Sequence, residues 1–163
     1  MSKYRMVSLD TSSTRTGWAY FEGGKLKESG VIDCHKEKDS EIRLEDMCFA
    51  ICDLLTAKKA ETVVIEMTVV VRNAAAQRML SEIVGVVRGW TLCNFAEFVR
   101  LRPTEWRKLI CKEGKVPAKR DEAKAWSKQI VKEDFNKIVS DDEADAILIG
   151  QARINQMNEM GKA

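Results

Sequence analysis

Short apolar runs open this chain, and a helical rhythm takes over later. Tyr4 to Leu9 reads as a first strand, and Gly17-Trp18-Ala19-Tyr20-Phe21 as a second after the polar turn Asp10 to Thr16. Gly23-Gly24 then turns the chain into a third run, Lys25 to Ile32, so three strands form a meander. From about Ser40 the period changes: Leu44, Met47, Cys48, Ile51, Leu54 and Leu55 follow the spacing of one buried helical stripe. Thr62 to Ile65 is a short β-branched strand. Asn73 is placed to cap a long helix running to about Asn94. Ala96 to Arg102 is a fifth strand stopped by Pro103. Helices follow at Thr104 to Cys111, at Ala118 to about Asp134, and from Asp141 behind a Ser140 cap. The order βββ-α-β-α-β-α-α-α predicts one α/β domain over 1–163, a mixed five-stranded sheet flanked by helices.

The long helix carries apolar residues on more than one stripe (Met79, Leu80, Ile83, Val84, Val86, Val87, Trp90). Gly85 and Gly89 share a face and would let another helix approach closely. A helix that packs on the sheet with one side and on a second copy with the other predicts a homodimer.

Composition removes several classes of function. A chain with 45% hydrophobic and 32% charged residues is neither disordered nor membrane-embedded, and no stretch approaches a membrane span. No apolar leader follows Met1, so the expected address is cytoplasmic. Five scattered cysteines without a Cys-x-x-Cys pair argue against a disulfide framework or structural zinc. The single histidine, His35, lies in a polar stretch and supports no Ser/His/Asp or Cys/His machinery. Net charge is only +2, but between Arg100 and Arg120 eight basic residues face only Glu105 and Glu113, a local +6. Such a block suits a polyanionic partner.

Acidic residues stand where the strands end. Asp10 follows Met6-Val7-Ser8-Leu9, Glu66 follows Val63-Val64-Ile65, and Asp142 and Asp145 lie three apart in the first turns of the last helix. Carboxylates at the ends of buried strands point to one sheet edge. Gathered there, they repel one another unless a hard cation joins them, and oxygen ligands suit Mg²⁺, with Mn²⁺ able to substitute. Ala144 and Ala146 would let the helix lie close to the sheet. A four-carboxylate set of this kind can hold two divalent ions about 4 Å apart around a phosphodiester, with no histidine base. Asp141 lies four residues from Asp145 and competes with Asp142 for the ligand position.

Five segments together resemble a RuvC-type Holliday junction resolvase of the RNase H-like nuclease superfamily, similar in character to bacteriophage versions. They are Leu9 to Trp18; Val64-Ile65-Glu66; Arg72-Asn73-Ala74 with Gly85 and Arg88-Gly89; Arg102-Pro103-Thr104-Glu105; and Asp142 to Ala146. The resemblance implies a homodimeric, Mg²⁺-dependent endonuclease that binds four-way DNA junctions and nicks two strands. By position its catalytic, metal-binding acids are Asp10, Glu66, Asp142 and Asp145. Its phosphate-binding candidates are Arg107, Lys108, Lys115, Lys119 and Arg120, and Lys119 or Arg120 would lie nearest the scissile phosphate. Arg72 and Arg78 could reach phosphates from the start of the long helix. Gly85 and Gly89 fall where the family dimerises.

Two departures shape the expectation. Thr11-Ser12 stand where the family commonly has Pro-Gly, and hydroxyls must then form the turn. Val69 stands where bacterial members carry an aromatic residue that engages junction bases. Action on branched DNA in general, forks and flaps included, fits this better than a sequence-selective cut. Trp106 could stack on an unpaired base or belong to the core. Other readings are an RNase H-like enzyme cutting RNA–DNA hybrids or transferring strands, a non-catalytic junction binder, and an actin-like ATPase fragment.

Overall fold

The computed structural model describes residues 4–67, 73–111 and 114–161. Five strands run β1 (Arg5–Asp10), β2 (Arg15–Glu22), β3 (Lys25–Asp33), β4 (Thr62–Glu66) and β5 (Glu97–Leu101). The helices are α1 (Ser40–Ala57), α2 (Ala74–Cys93), α3 (Pro103–Ile110), α4 (Arg120–Phe135) and α5 (Asp141–Met160). All ten elements match the periodicity to within a few residues. Both expected caps are made: Asn73 accepts from the amides of Ala75 and Ala76, and Ser140 from that of Glu143. Gly23 and Gly24 both take positive φ, the conformation a tight hairpin requires.

The sheet order is β3-β2-β1-β4-β5. The first three strands are antiparallel neighbours, whereas β4 lies parallel to β1 and β5 parallel to β4. This mixed arrangement sets the carboxyl ends of β1 and β4 side by side at the middle of one edge. Leu9 pairs with Ile65, so Asp10 and Glu66 stand one step beyond that pair.

Strand alternation decides which face each side chain joins. Val7, Leu9, Val63 and Ile65 pack with Leu44, Met47, Ile51 and Leu55 of α1 and with Ile83 and Val87 of α2. Met6 and Val64 turn the other way, toward Ala144, Ile147 and Leu148 of α5, with Trp106, Ile110 and Val131 beside them. Asp10 and Glu66 have the parity of Met6 and Val64. Both therefore project toward α5.

That helix lies unusually close to the sheet. A Cβ on Gly17 would fall 1.8 Å from the Asp142 carbonyl oxygen, and one on Gly150 would fall 2.3 Å from the Phe21 ring. Ser8, buried in the central strand, donates its hydroxyl to the Ala146 carbonyl at 2.7 Å. Ala144 and Ala146 are fully buried. Small residues and one hydroxyl thus draw the start of α5 down over the strand ends.

Candidate active site

These constraints bring the acids to one edge, near enough that the charges of Asp145, Glu66 and Asp142 are all felt at Asp10. Asp10 pairs across the β1/β2 ladder with Gly17, the same glycine that admits the Asp142 backbone. The turn between those strands is closed by hydroxyls: Thr16 Oγ1 donates to the Ser12 carbonyl at 2.9 Å and accepts from the Ser12 amide at 3.1 Å. Ser12 Oγ also accepts from the Thr14 amide at 3.2 Å. Hydroxyls thus form the turn that Pro-Gly would otherwise make.

Burial and mutual repulsion hold the cluster's carboxyls on the neutral side of their ordinary range. Asp10 is raised well above the usual aspartate value, first by burial and then by the charges of Asp145, Glu66 and Asp142. Burial is also the leading cause of the rise at Glu66, Asp142 and Asp145. Arg107 offsets part of it at Glu66 and Asp145, and Lys124 at Asp10 and Asp142. Asp145 Oδ1 is buried without a hydrogen-bond partner. The Ser127 hydroxyl lies near enough to offset some of the rise at Asp145, yet it too completes no hydrogen bond.

A donor set of four carboxylates with one orphaned buried oxygen fits a hard divalent cation. Among the described residues, no three His, Cys, Asp or Glu side chains stand close enough together to hold a metal ion as placed.

Asp141 is occupied differently. Lys124 and Lys128 of α4 each place Nζ 3.0 Å from its carboxylate, and these bonds hold its carboxyl below the usual range. Among the described residues Asp142 makes no ion pair of that kind, and its charge is felt at Asp10. Spacing alone did not show that α4 supplies two lysines to Asp141.

Trp106 is fully buried and belongs to the core, where its indole Nε1 donates to Glu66 Oε2 at 2.6 Å. The Arg107 guanidinium lies 5.0 Å from the Trp106 ring centroid. Residue spacing gave no sign of the Trp106–Glu66 bond, nor of Lys124. Their positions depend on where α3 and α4 dock.

The other expected contacts are dispersed. Lys108, Lys115, Lys119 and Arg120 are exposed around α3 and the start of α4, with Lys119 within 3.4 Å of Glu122. Arg100 turns to the opposite face, over the Phe98 ring. Arg78 is held on α2 by Glu41 and Glu82. Arg72 and Val69 lie outside the described residues. Gly85 and Gly89 have open space beside them, with no atom within 4 Å of a Cβ at either position. None of the five cysteines is in a disulfide.

No family model matches the sequence, and no curated protein does. Solved structures do. Thermus thermophilus RuvC in complex with a Holliday junction substrate superimposes with a TM-score of 0.74 at 13% identity, covering 96% of both chains. The yeast mitochondrial Holliday junction resolvase Ydc2 gives 0.68 at 10% identity over 99% of this chain and 83% of that one. Fowlpox virus resolvase, bound to Holliday junction DNA, gives 0.64 at 16% over 94% and 98%. The fold is therefore the RNase H-like α/β class. Within that class, its architecture is the one shared by RuvC-type resolvases.

Proposed function

We propose that this chain is a structure-selective endonuclease that nicks branched DNA, with four-way junctions as its principal substrate. The observation that carries the reading is the convergence of Asp10, Glu66, Asp142 and Asp145 on one sheet edge, in an architecture shared with junction-bound resolvases. Asp10, Glu66, Asp142 and Asp145 would hold the metal, taken to be two Mg²⁺ per site with Mn²⁺ as a substitute. Such ions supply an activated water and stabilise the departing oxygen of a phosphodiester.

The chain's own residues do the rest. The carboxylates would hold the cations, and Asp145 Oδ1, which has no hydrogen-bond partner of its own, would be free to serve as a ligand. Arg107 and Lys124 bring positive charge to two sides of the cluster, where a phosphate would need it. Lys108, Lys115, Lys119 and Arg120 would track the backbone of the arms, with Arg72 and Arg78 as outer contacts. Asp141, kept by its two lysines, stays out of the ligand set. Residues 1–163 would act as a single nuclease domain. A homodimer joined along the Gly85/Gly89 face would present two sites to a junction with two-fold symmetry. A cytoplasmic setting goes with DNA as substrate, and among the described residues no helix is long and apolar enough to cross a membrane.

The test is a cleavage assay on synthetic four-way junction, fork, flap, plain duplex and RNA–DNA hybrid, with and without Mg²⁺. Metal-dependent, paired nicks in the junction are expected, with weaker cutting of forks and flaps. Cutting of the hybrid alone would move the reading to another RNase H-like activity. Tight junction binding without cleavage in any divalent ion would make the protein an architectural binder.

A further inference from the structure

We propose that Trp106 is the positioning residue for Glu66: its indole N–H holds Oε2 of the carboxylate and, among the described residues, leaves Oε1 without a donor. The proposal rests on the reading of Glu66 as a metal-binding acid and adds how that acid is aimed.

The bond is built by two local devices. Glu66 closes β4 and pairs with Leu101, the last residue of β5, while the Met67 amide donates to the Leu101 carbonyl at 2.7 Å. Helix α3 begins almost at once, at Pro103. Glu105 Oε2 accepts from the Arg102 amide at 3.3 Å, and the Arg102 carbonyl accepts from the amides of Glu105 and Trp106, both at 3.0 Å. This tight start leaves Trp106 on the first turn, facing back to the end of β4. Its ring is locked by burial, with Trp126 at 6.4 Å between centroids. The Pro-Thr-Glu-Trp segment thus works as a bracket for Glu66.

The donor's chemistry suits the task. An indole N–H only donates and carries no charge. It cannot ligate a metal as a histidine would, nor neutralise Glu66 and compete with the cation as a lysine or arginine would. It engages Oε2, whereas no described residue donates to Oε1. A carboxylate held on one side keeps its free oxygen in a fixed direction, so less ordering is left to the binding step. Outer partners of metal ligands commonly contribute about 10–100-fold in affinity or activity.

A purely structural Trp106 predicts something different. A buried indole needs an acceptor, and Glu66 could merely be serving the core. The two are separated by titrating the whole protein with Mn²⁺ alone, measured by calorimetry, for wild type, Trp106→Phe and Glu66→Gln. Positioning predicts Mn²⁺ binding about tenfold weaker in Trp106→Phe, with kcat lowered on the junction and KM unchanged. If Trp106→Phe lowers only thermal stability and keeps wild-type Mn²⁺ affinity and kcat, the inference is overturned. Should the phenylalanine variant fail to fold, benzothienylalanine at position 106 keeps the ring shape and removes only the N–H, and the same readings apply. Glu66→Gln separates the two levels of the argument. Weakened Mn²⁺ binding there with none in the position-106 variants rejects only the positioning role; unchanged binding in Glu66→Gln rejects the metal-site reading itself.

Discussion

On the α1/α2 face, the sheet is closed by aliphatic contact: Val7, Leu9, Val63 and Ile65 against Leu44, Met47, Ile51, Leu55, Ile83 and Val87. On the α5 face, the closure also runs through polar atoms and missing side chains. Ser8 bonds a helix carbonyl, Gly17 and Gly150 admit backbone and ring, and Trp106 reaches Glu66. Aliphatic packing tolerates small shifts, because it has no preferred direction. A hydrogen bond to a helix carbonyl and a glycine in backbone contact leave α5 far less freedom to shift. The face toward which Asp10 and Glu66 project is the face built with the tighter constraints.

The strongest way to break the comparison is to remove a carboxylate while leaving both faces intact. Asp10→Asn should lower cleavage by about a thousandfold or more, with junction affinity in a gel-shift assay nearly unchanged. It should also raise the melting temperature of the metal-free protein, because it deletes a buried charge that three other acids oppose. A variant that cuts normally would take Asp10 out of the site.

Gly17→Ala comes next. Its Cβ would meet the Asp142 carbonyl at 1.8 Å, so α5 must lift or the strand must bend. We expect about 3 kcal/mol of destabilisation in chemical denaturation, together with loss of Mn²⁺ binding. Ser8→Ala should cost about 1–2 kcal/mol, since the Ala146 carbonyl loses its buried donor. Unchanged stability in Gly17→Ala would mean that α5 is held less tightly than its contacts indicate.

Acidity offers a milder probe of the same face. Asp10, Glu66, Asp142 and Asp145 all have folded-state values above the ordinary ones. The folded protein therefore binds more protons than the unfolded chain across that window, and stability falls as pH rises through it. Metal-free protein should melt higher at about pH 5 than at pH 7, and Asp10→Asn should flatten the slope. Asp141 runs the other way: its carboxyl is held low by two lysines, so its contribution is present above the ordinary aspartate value and fades at stronger acidity. A melting temperature that rises steadily from pH 5 to 7 without metal would contradict the crowding of acids.

Much of this was legible in the sequence. Strand ends marked the acids, and the spacing of Asp142 and Asp145 together with the small residues around them gave α5 its orientation. Parity could have been read too, because Met6-Ser8-Asp10 and Thr62-Val64-Glu66 each alternate along one face. What could not be read were pairings between distant stretches. Trp106 and Glu66 lie 40 residues apart, and no local period marks an indole donor. The two lysines that occupy Asp141 were invisible for the same reason: on α4 they look like a solvated face. Gly17 read simply as the first residue of the second strand, and only the docked helix shows that it is needed for a contact 125 positions away.

The smallest expected effect tests the looser face. Gly85 has φ in the ordinary helical range and nothing within 4 Å of a Cβ, so alanine there meets no atom of its own chain. Helix propensity alone then favours Gly85→Ala by about 0.5–1 kcal/mol in the isolated subunit. If a second copy packs its helix against this face, the same methyl group enters a close contact, and the gain is cancelled or reversed at concentrations where dimers form. Gly85→Leu exaggerates the difference and should elute as a monomer in gel filtration while keeping its fold. Stability that rises equally at low and high protein concentration in Gly85→Ala, with an unshifted elution volume in Gly85→Leu, would show that no helix approaches there. The α1/α2 side would then be a solvent face closed by ordinary packing, and symmetry between two active sites would have to come from another surface.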